Sequence, residues 1–217
     1  MSTPRQLTVN EIFFSIQGES SHVGLPCIFV RLAFCNLRCS WCDSTYTFYE
    51  GREMSFDQIM DHIREYPCNL VELTGGEPLA QEEAFPFMTL LCENGYEVIV
   101  ETSGSLDISR TDPRVKRIMD LKCPGSGMAA RNRYKNIESL RSNDEIKFVI
   151  KDRHDYEWAK QTIENYRLTA VCPISFSPVF DVLDTVELAQ WMLDDGARAR
   201  LQVQLHKYIW NPAQRGV

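Results

Sequence analysis

The chain has 217 residues, 44% of them hydrophobic and 24% charged, with a formal net charge of -7. That length suits one domain with a sizeable core, and the balance excludes disordered, collagen-like and coiled-coil chains. The acidic surplus argues against a broad grip on nucleic acid or anionic membrane, which needs clustered Lys and Arg, but it allows a basic pocket around a small anion.

In chain order, the first residues, Met1 to Gln6, lack the apolar core of a secretory signal, and no run approaches the roughly 18 apolar residues of a membrane helix. A cytoplasmic protein is expected, and its eight cysteines then do not read as four disulfides. Strands are expected at 27–32, 70–73, 96–100, 117–121, 145–150, 170–175 and 200–205, rich in Val, Ile and Phe and mostly without alternation, as in strands covered on both faces. Helical patterns fill the gaps. Ser55 with Gln58 opens one as a capping box, and the others cover 81–94, 154–166 and 182–193. Alternating strand and helix gives a parallel α/β sheet with right-handed crossovers. About six units fit where a full barrel takes roughly 250 residues, so a single domain over 1–217 is expected to form an open or partial (β/α) barrel. Ligand chemistry then belongs at the C-terminal ends of the strands.

The first of those strand ends runs directly into Cys35-Asn36-Leu37-Arg38-Cys39-Ser40-Trp41-Cys42. A C-x3-C-x2-C loop lets three thiolates converge on one metal centre. No fourth Cys or His lies nearby to close a structural zinc site. Three ligands with one open position suit an iron-sulfur cube; a zinc loop closed by a distant residue, or three neighbouring core cysteines, is the plainer alternative. Cys27, Cys68, Cys92, Cys123 and Cys172 stand singly among apolar neighbours and read as small packing residues.

Three later strand ends are polar. The second carries Thr74-Gly75-Gly76-Glu77-Pro78, where glycines admit close backbone approach and Glu77 offers an acceptor for an amine; by itself this is also an ordinary tight turn. The third carries Glu101-Thr102-Ser103-Gly104, able to hold a diol. The fourth carries Asp120-Leu121-Lys122, whose lysine suits a carboxylate. Arg31, a cation inside an apolar strand, wants a buried anion, either a substrate carboxylate or an internal Asp or Glu.

The cysteine spacing together with Gly-Gly-Glu-Pro resembles the radical S-adenosylmethionine (SAM) superfamily. Asn10-Glu11-Ile12-Phe13, Gln17-Gly18-Glu19, Phe29-Val30-Arg31-Leu32, Trp41-Cys42-Asp43, Glu101-Thr102-Ser103-Gly104 and His206-Lys207 narrow the resemblance, over nearly the whole chain, to the 7-carboxy-7-deazaguanine synthases. That resemblance implies a lyase of queuosine and 7-deazapurine biosynthesis. It would rearrange 6-carboxy-5,6,7,8-tetrahydropterin with loss of ammonia, through a 5′-deoxyadenosyl radical derived from SAM. It implies a [4Fe-4S] cluster on Cys35, Cys39 and Cys42, and SAM contacts from Trp41, Cys42, Asp43, Gly76, Glu77, Glu101, Ser103, Asp120, Leu121, Lys122 and Ser177. Mg2+ would sit at Ser44, with Thr45 as second choice, and the pterin against Ile16, Gln17, Gly18, Arg31, Thr74 and His206. A flavodoxin or ferredoxin reductant and a homodimer are implied as partners. The rivals are a glycyl-radical activating enzyme, which shares the cysteine and Gly-Gly-Glu motifs, and a non-enzymatic metal module. Two departures from the family are residues 209–217, which run past the His-Lys segment, and the loop 122–127, of which Lys122 alone carries over.

Overall fold

A computed structural model describes residues 5–217. Nine strands form one sheet: β1 (Gln6–Ile16), β2 (Pro26–Leu32), β3 (Arg52–Ser55), β4 (Leu70–Gly75), β5 (Glu97–Thr102), β6 (Lys116–Asp120), β7 (Glu145–Ile150), β8 (Ile174–Pro178) and β9 (Arg200–Leu201). Their order is β3-β1-β2-β4-β5-β6-β7-β8-β9. From β2 to β9 every pair is parallel, whereas β1 runs antiparallel to both β2 and β3. The ends of that order do not pair, so the sheet curls into a partial barrel. The helices are α1 (Phe56–Arg64), α2 (Ala84–Glu93), α3 (Arg153–Tyr166), α4 (Thr185–Asp194) and the short α5 (His206–Ile209). None of the described helices is long and apolar enough to cross a membrane.

Local chemistry explains most element ends. Ser55 accepts from the Gln58 amide while Gln58 returns a bond to the Ser55 N–H, so the capping box starts α1 as its sequence predicts. Asp152 and Asp184 cap α3 and α4 in the same way, by accepting from Asp155 and Val186.

The sequence expectation missed β1 and β3 and mistook the last two strands. Residue 170 lies in a 3-10 turn and β8 starts at Ile174. Beyond Leu201 the chain leaves the sheet, because residues 202–205 bend inward: the Leu205 N–H reaches the Gly18 carbonyl at 3.0 Å. His206 therefore opens α5 instead of ending a strand.

The strands also alternate, contrary to the expectation. Ile28, Val30, Leu32, Val71, Leu73, Val98, Val100, Met119, Ile146, Phe148 and Phe176 pack outward against the helices in one large core. The inner face holds a small apolar plug of Phe13, Cys27, Phe29, Leu70, Ile99 and Ile118, with Phe13 stacked on Phe29 at 4.9 Å. The same strands then turn polar toward their C-terminal ends, through Arg31, Glu72, Thr74, Glu101, Asp120, Lys147 and Ser177. The hairpin joining β1 and β2 folds beneath the barrel. There the Ser21 N–H bonds Glu145 at 2.9 Å, His22 meets Glu97 at 2.9 Å, and Lys116 pairs with Glu145 at 2.7 Å. These partners are the first residues of β5, β6 and β7, so the hairpin covers the N-terminal end and the cavity opens at the other.

Candidate active site

The loop after β2 carries the three cysteines, all partly exposed and, like the other five, free of disulfides. It is pinned from two sides. The Ser40 hydroxyl and N–H donate to the Gly125 and Ser126 carbonyls at 2.8 and 3.1 Å, and Arg38 stacks over Phe48 at 4.1 Å while bonding the Cys35 carbonyl at 2.8 Å. Burial pushes all three thiols up; Lys122 counters this at each of them and Arg38 at Cys42. Such thiols give up their protons to a metal and not to water.

The Gly75-Gly76 turn at the end of β4 packs hard against this loop. A side chain on Gly76 would lie 2.1 Å from the Phe34 carbonyl oxygen and 2.9 Å from Cys35 Cβ, and Gly75 (φ +130°) would strike the Leu32 backbone. The three sulfurs do not all fall within 4.8 Å of one another. A single four-coordinate zinc with bonds of about 2.3 Å would draw them closer, whereas a cube holds its thiolates wider apart. The donor set therefore fits an iron-sulfur cluster. Asp152, His154 and Asp155 do converge within that distance, but the two carboxylates are occupied as a helix cap and as anchors for the Gly125 and Lys151 amides.

Glu77, expected as an acceptor for an amine, has its carboxylate engaged within the protein. It is fully buried, and its carboxylate accepts from the Leu79 N–H, the Thr102 hydroxyl, the Ser103 N–H and the Ser103 hydroxyl, at 3.0, 2.8, 2.7 and 2.5 Å. The side chain thus ties the ends of β4 and β5 together beside the cluster loop, and the turn's exposed offer to a ligand is its backbone. Ser103 is drawn into the same knot. Leu121 has its side chain in the outer core and its N–H on the Lys147 carbonyl at 2.9 Å. Lys122 pairs with Asp120 at 2.6 Å, and Asp120 Oδ1 is a buried acceptor without a partner among the described residues. Trp41 is half-buried on the cluster loop, and Ser177 is buried on the inner face of β8.

On the strand that leads into the cluster loop, Arg31 lies in register with Thr74. Its Nε–H donates to Glu11 Oε1 at 2.7 Å, and its guanidinium packs 5.5 Å from the Phe13 ring centre. Tyr46 donates to the same Glu11 oxygen at 3.1 Å. So the internal acid exists, yet it takes Nε alone. Ser44 donates to Asp43 at 3.0 Å, and Lys207 Nζ reaches the other Asp43 oxygen at 2.7 Å. Burial by itself raises the Asp43 carboxyl, but Lys207 overrides it and holds the group at about 2. Thr45 is exposed next to this pair. These oxygens suit a hard cation.

Gln17 is buried with its amide committed, donating to Glu72 and accepting from the Glu19 N–H at 2.9 Å. Gly18 lies against His206, where any Cβ would stand 2.3 Å from the ring Nδ1. The structure thereby joins the hairpin and the C-terminal segment, which are nearly the whole chain apart in sequence. Sequence reasoning missed Glu72 and Lys147, buried inner-face charges one step below Thr74 and beside Asp120. The signal was available: each is a charge in an apolar strand, as Arg31 is.

Comparison with known proteins follows this geometry. The Radical SAM superfamily model matches residues 30–171. The 7-carboxy-7-deazaguanine synthase of Koribacter versatilis is 46% identical over 97% of this chain and 100% of its own length, and that of Chlorobaculum tepidum is 46% identical over 100% of both. Among solved structures, QueE from Escherichia coli superposes with a TM-score of 0.78 at 24% identity, over 93% of this chain and 95% of that one. Streptococcus suis SuiB bound to S-adenosylmethionine gives 0.56 at 15% identity, over 78% of this chain and 48% of that one. These two likenesses establish the fold.

Proposed function

Because the chain belongs to the 7-carboxy-7-deazaguanine synthase family of radical SAM enzymes, we propose that it converts 6-carboxy-5,6,7,8-tetrahydropterin to 7-carboxy-7-deazaguanine and releases ammonia. The observation that carries the reading is the placement of the three-cysteine loop and the Gly75-Gly76 turn at the mouth of the barrel that Arg31 and Thr74 line. A [4Fe-4S] cluster on Cys35, Cys39 and Cys42, with SAM at its open iron, supplies a 5′-deoxyadenosyl radical when bound.

The chain's own residues bind and orient. The backbone of the turn at Gly76, the Asp120 carboxylate and the Glu101 side chain border the SAM position, and Trp41 lies beside it. Lys122 stands by to offset anionic charge on the cluster side. Arg31 takes the substrate carboxylate through its outer nitrogens while Glu11 keeps its Nε. Thr74, Ile16 and the Gln17-Gly18 backbone line the pterin, with His206 over Gly18. The apolar plug and the hairpin below exclude water from the lower end. Ser44, with Asp43 beside it, would hold Mg2+, which would supply a hard positive charge for substrate oxygens. The reading also assigns a flavodoxin- or ferredoxin-type reductant, a homodimer, a cytoplasmic setting and one domain over residues 1–217, all of which follow from the family.

The test is anaerobic. Reconstituted protein with dithionite, SAM, Mg2+ and carboxytetrahydropterin is expected to form a deazapurine chromophore with ammonia. SAM cleavage alone, without either product, would overturn the substrate. A colourless protein holding one zinc would overturn the cluster.

A further inference from the structure

Beside the residues assigned above lies a buried lysine to which the proposed reaction gives no part. Lys147, third residue of β7, has a side chain 7% exposed. Its ammonium contacts Glu19 of the β1–β2 hairpin at 2.5 Å and also bonds Glu101 near the end of β5. Glu19 takes a second bond from the Gln204 amide at 3.0 Å, so the segment after β9 joins the same point. Three parts of the chain that do not adjoin in sequence therefore meet at one ammonium, and a fourth is tied to them through the other oxygen of Glu19. Asp120 pairs with Lys147 in register on β6, and Glu72 faces the group from β4, with Lys122 and His206 as the nearby cationic or titratable neighbours.

Two glutamates bond one nearly buried ammonium, with Glu72 as a further negative charge nearby. Removing that cation leaves Glu19 and Glu101 as adjacent buried carboxylates, which either take up protons or move apart. Moving apart means that the hairpin, with Gln17 and Gly18, shifts away from the barrel. Glu101 in turn loses the contact that fixes its carboxylate, part of which faces the cavity with a side chain 25% exposed.

We propose that Lys147 is a positioning residue: it fastens the hairpin under the barrel and holds Glu19 and Glu101, on the substrate side and the SAM side, in one fixed arrangement. Gln17 bonds Glu72 on one flank of the hairpin and Ser21 and His22 make their contacts on the other, while Leu205 and Gln204 of the C-terminal segment hold Gly18 and Glu19 from the side. Lys147 grips its middle. The consequence for catalysis rests on the reaction proposed above; the consequence for the hairpin does not.

The experiment uses Lys147→Met and Lys147→Arg in the full chain, with hydrogen exchange on the protein before reconstitution and kinetics after it. Amides of residues 17–25 are expected to exchange at least about tenfold faster in Lys147→Met, with β5 and α2 unchanged. Turnover is expected to fall at least about a hundredfold, with more 5′-deoxyadenosine formed per deazapurine, and the acidic limb of the pH profile is expected to move upward as the two glutamates lose their cation. Lys147→Arg keeps the charge and is expected to restore both the exchange pattern and the pH profile. Unchanged exchange in residues 17–25 would overturn the proposal, as would faster exchange spread evenly over the whole chain. If Lys147→Met does not fold, Lys147→Arg and Glu19→Gln carry the same readouts: Glu19→Gln is expected to loosen residues 17–25, and wild-type exchange there would overturn the proposal. Failure of wild-type turnover on carboxytetrahydropterin would remove the substrate and leave the exchange result standing.

Discussion

Arg31 donates through Nε to Glu11 at 2.7 Å, and neither of its terminal nitrogens has a hydrogen-bond acceptor among the described residues. One acid thus orients the guanidinium and leaves its outer edge for a second anion, an arrangement suited to a bidentate carboxylate. Arg31→Ala is expected to weaken substrate by about 2–5 kcal/mol while the cluster and SAM remain bound. Glu11→Gln, which preserves the acceptor and removes the charge, should raise KM more than it lowers kcat. Steady-state kinetics with iron content measured in parallel checks both; equal loss of iron and substrate affinity would mean that the pair only supports the fold.

The glycine turn gives a sharper structural prediction. Gly76→Ala places a methyl 2.1 Å from a backbone oxygen of the cluster loop, which has no flexible end to yield. The loop has to move, and reconstituted Gly76→Ala is expected to hold substoichiometric iron with weakened charge-transfer absorbance. Its thermal stability before reconstitution should stay close to wild type, because the collision falls outside the core.

Glu77 knots the ends of β4 and β5 through four hydrogen bonds, so its carboxylate has a structural part whether or not SAM is bound. Glu77→Gln turns one acceptor into a donor that faces the donors of Thr102 or Ser103, which destabilises by about 1–3 kcal/mol. Urea unfolding of the metal-free protein is expected to show that loss without SAM present. Loss of SAM affinity at unchanged stability would instead return the carboxylate to direct binding.

His206 sets a pH dependence. Burial holds its imidazole below the usual 6.5, although Glu19 pulls the other way. In the unfolded chain it accepts a proton near 6.5, which the folded state resists. Its contribution to stability is therefore complete above 6.5 and lost as the pH falls through that value toward the folded pKa. The melting temperature of metal-free protein is expected to drop between about pH 7.5 and 5.5, and His206→Asn should reduce that drop.

The cluster loop, the glycine turn and the parallel strands were legible because each depends on local spacing or on runs of neighbouring apolar residues. What escaped depends on which face a side chain takes. In Leu70-Val71-Glu72-Leu73-Thr74 and Glu145-Ile146-Lys147-Phe148 the charges alternate with apolar residues, and that alternation separates the barrel lumen from the helix-covered side. Read as continuous apolar runs, these strands concealed Glu72 and Lys147. Strand β1 escaped because its own pattern, Thr8 to Ser15, mixes polar and apolar residues at a sheet margin. The meeting of Gly18 with His206 had no signal in local pattern, and the family resemblance alone set both against one ligand, since only the curve of the sheet brings the two together.

The hairpin laid across the base of β5, β6 and β7 gives the barrel a floor. Ligands held at the polar strand ends therefore come and go on the side that carries the cluster loop and the glycine turn, not through the floor.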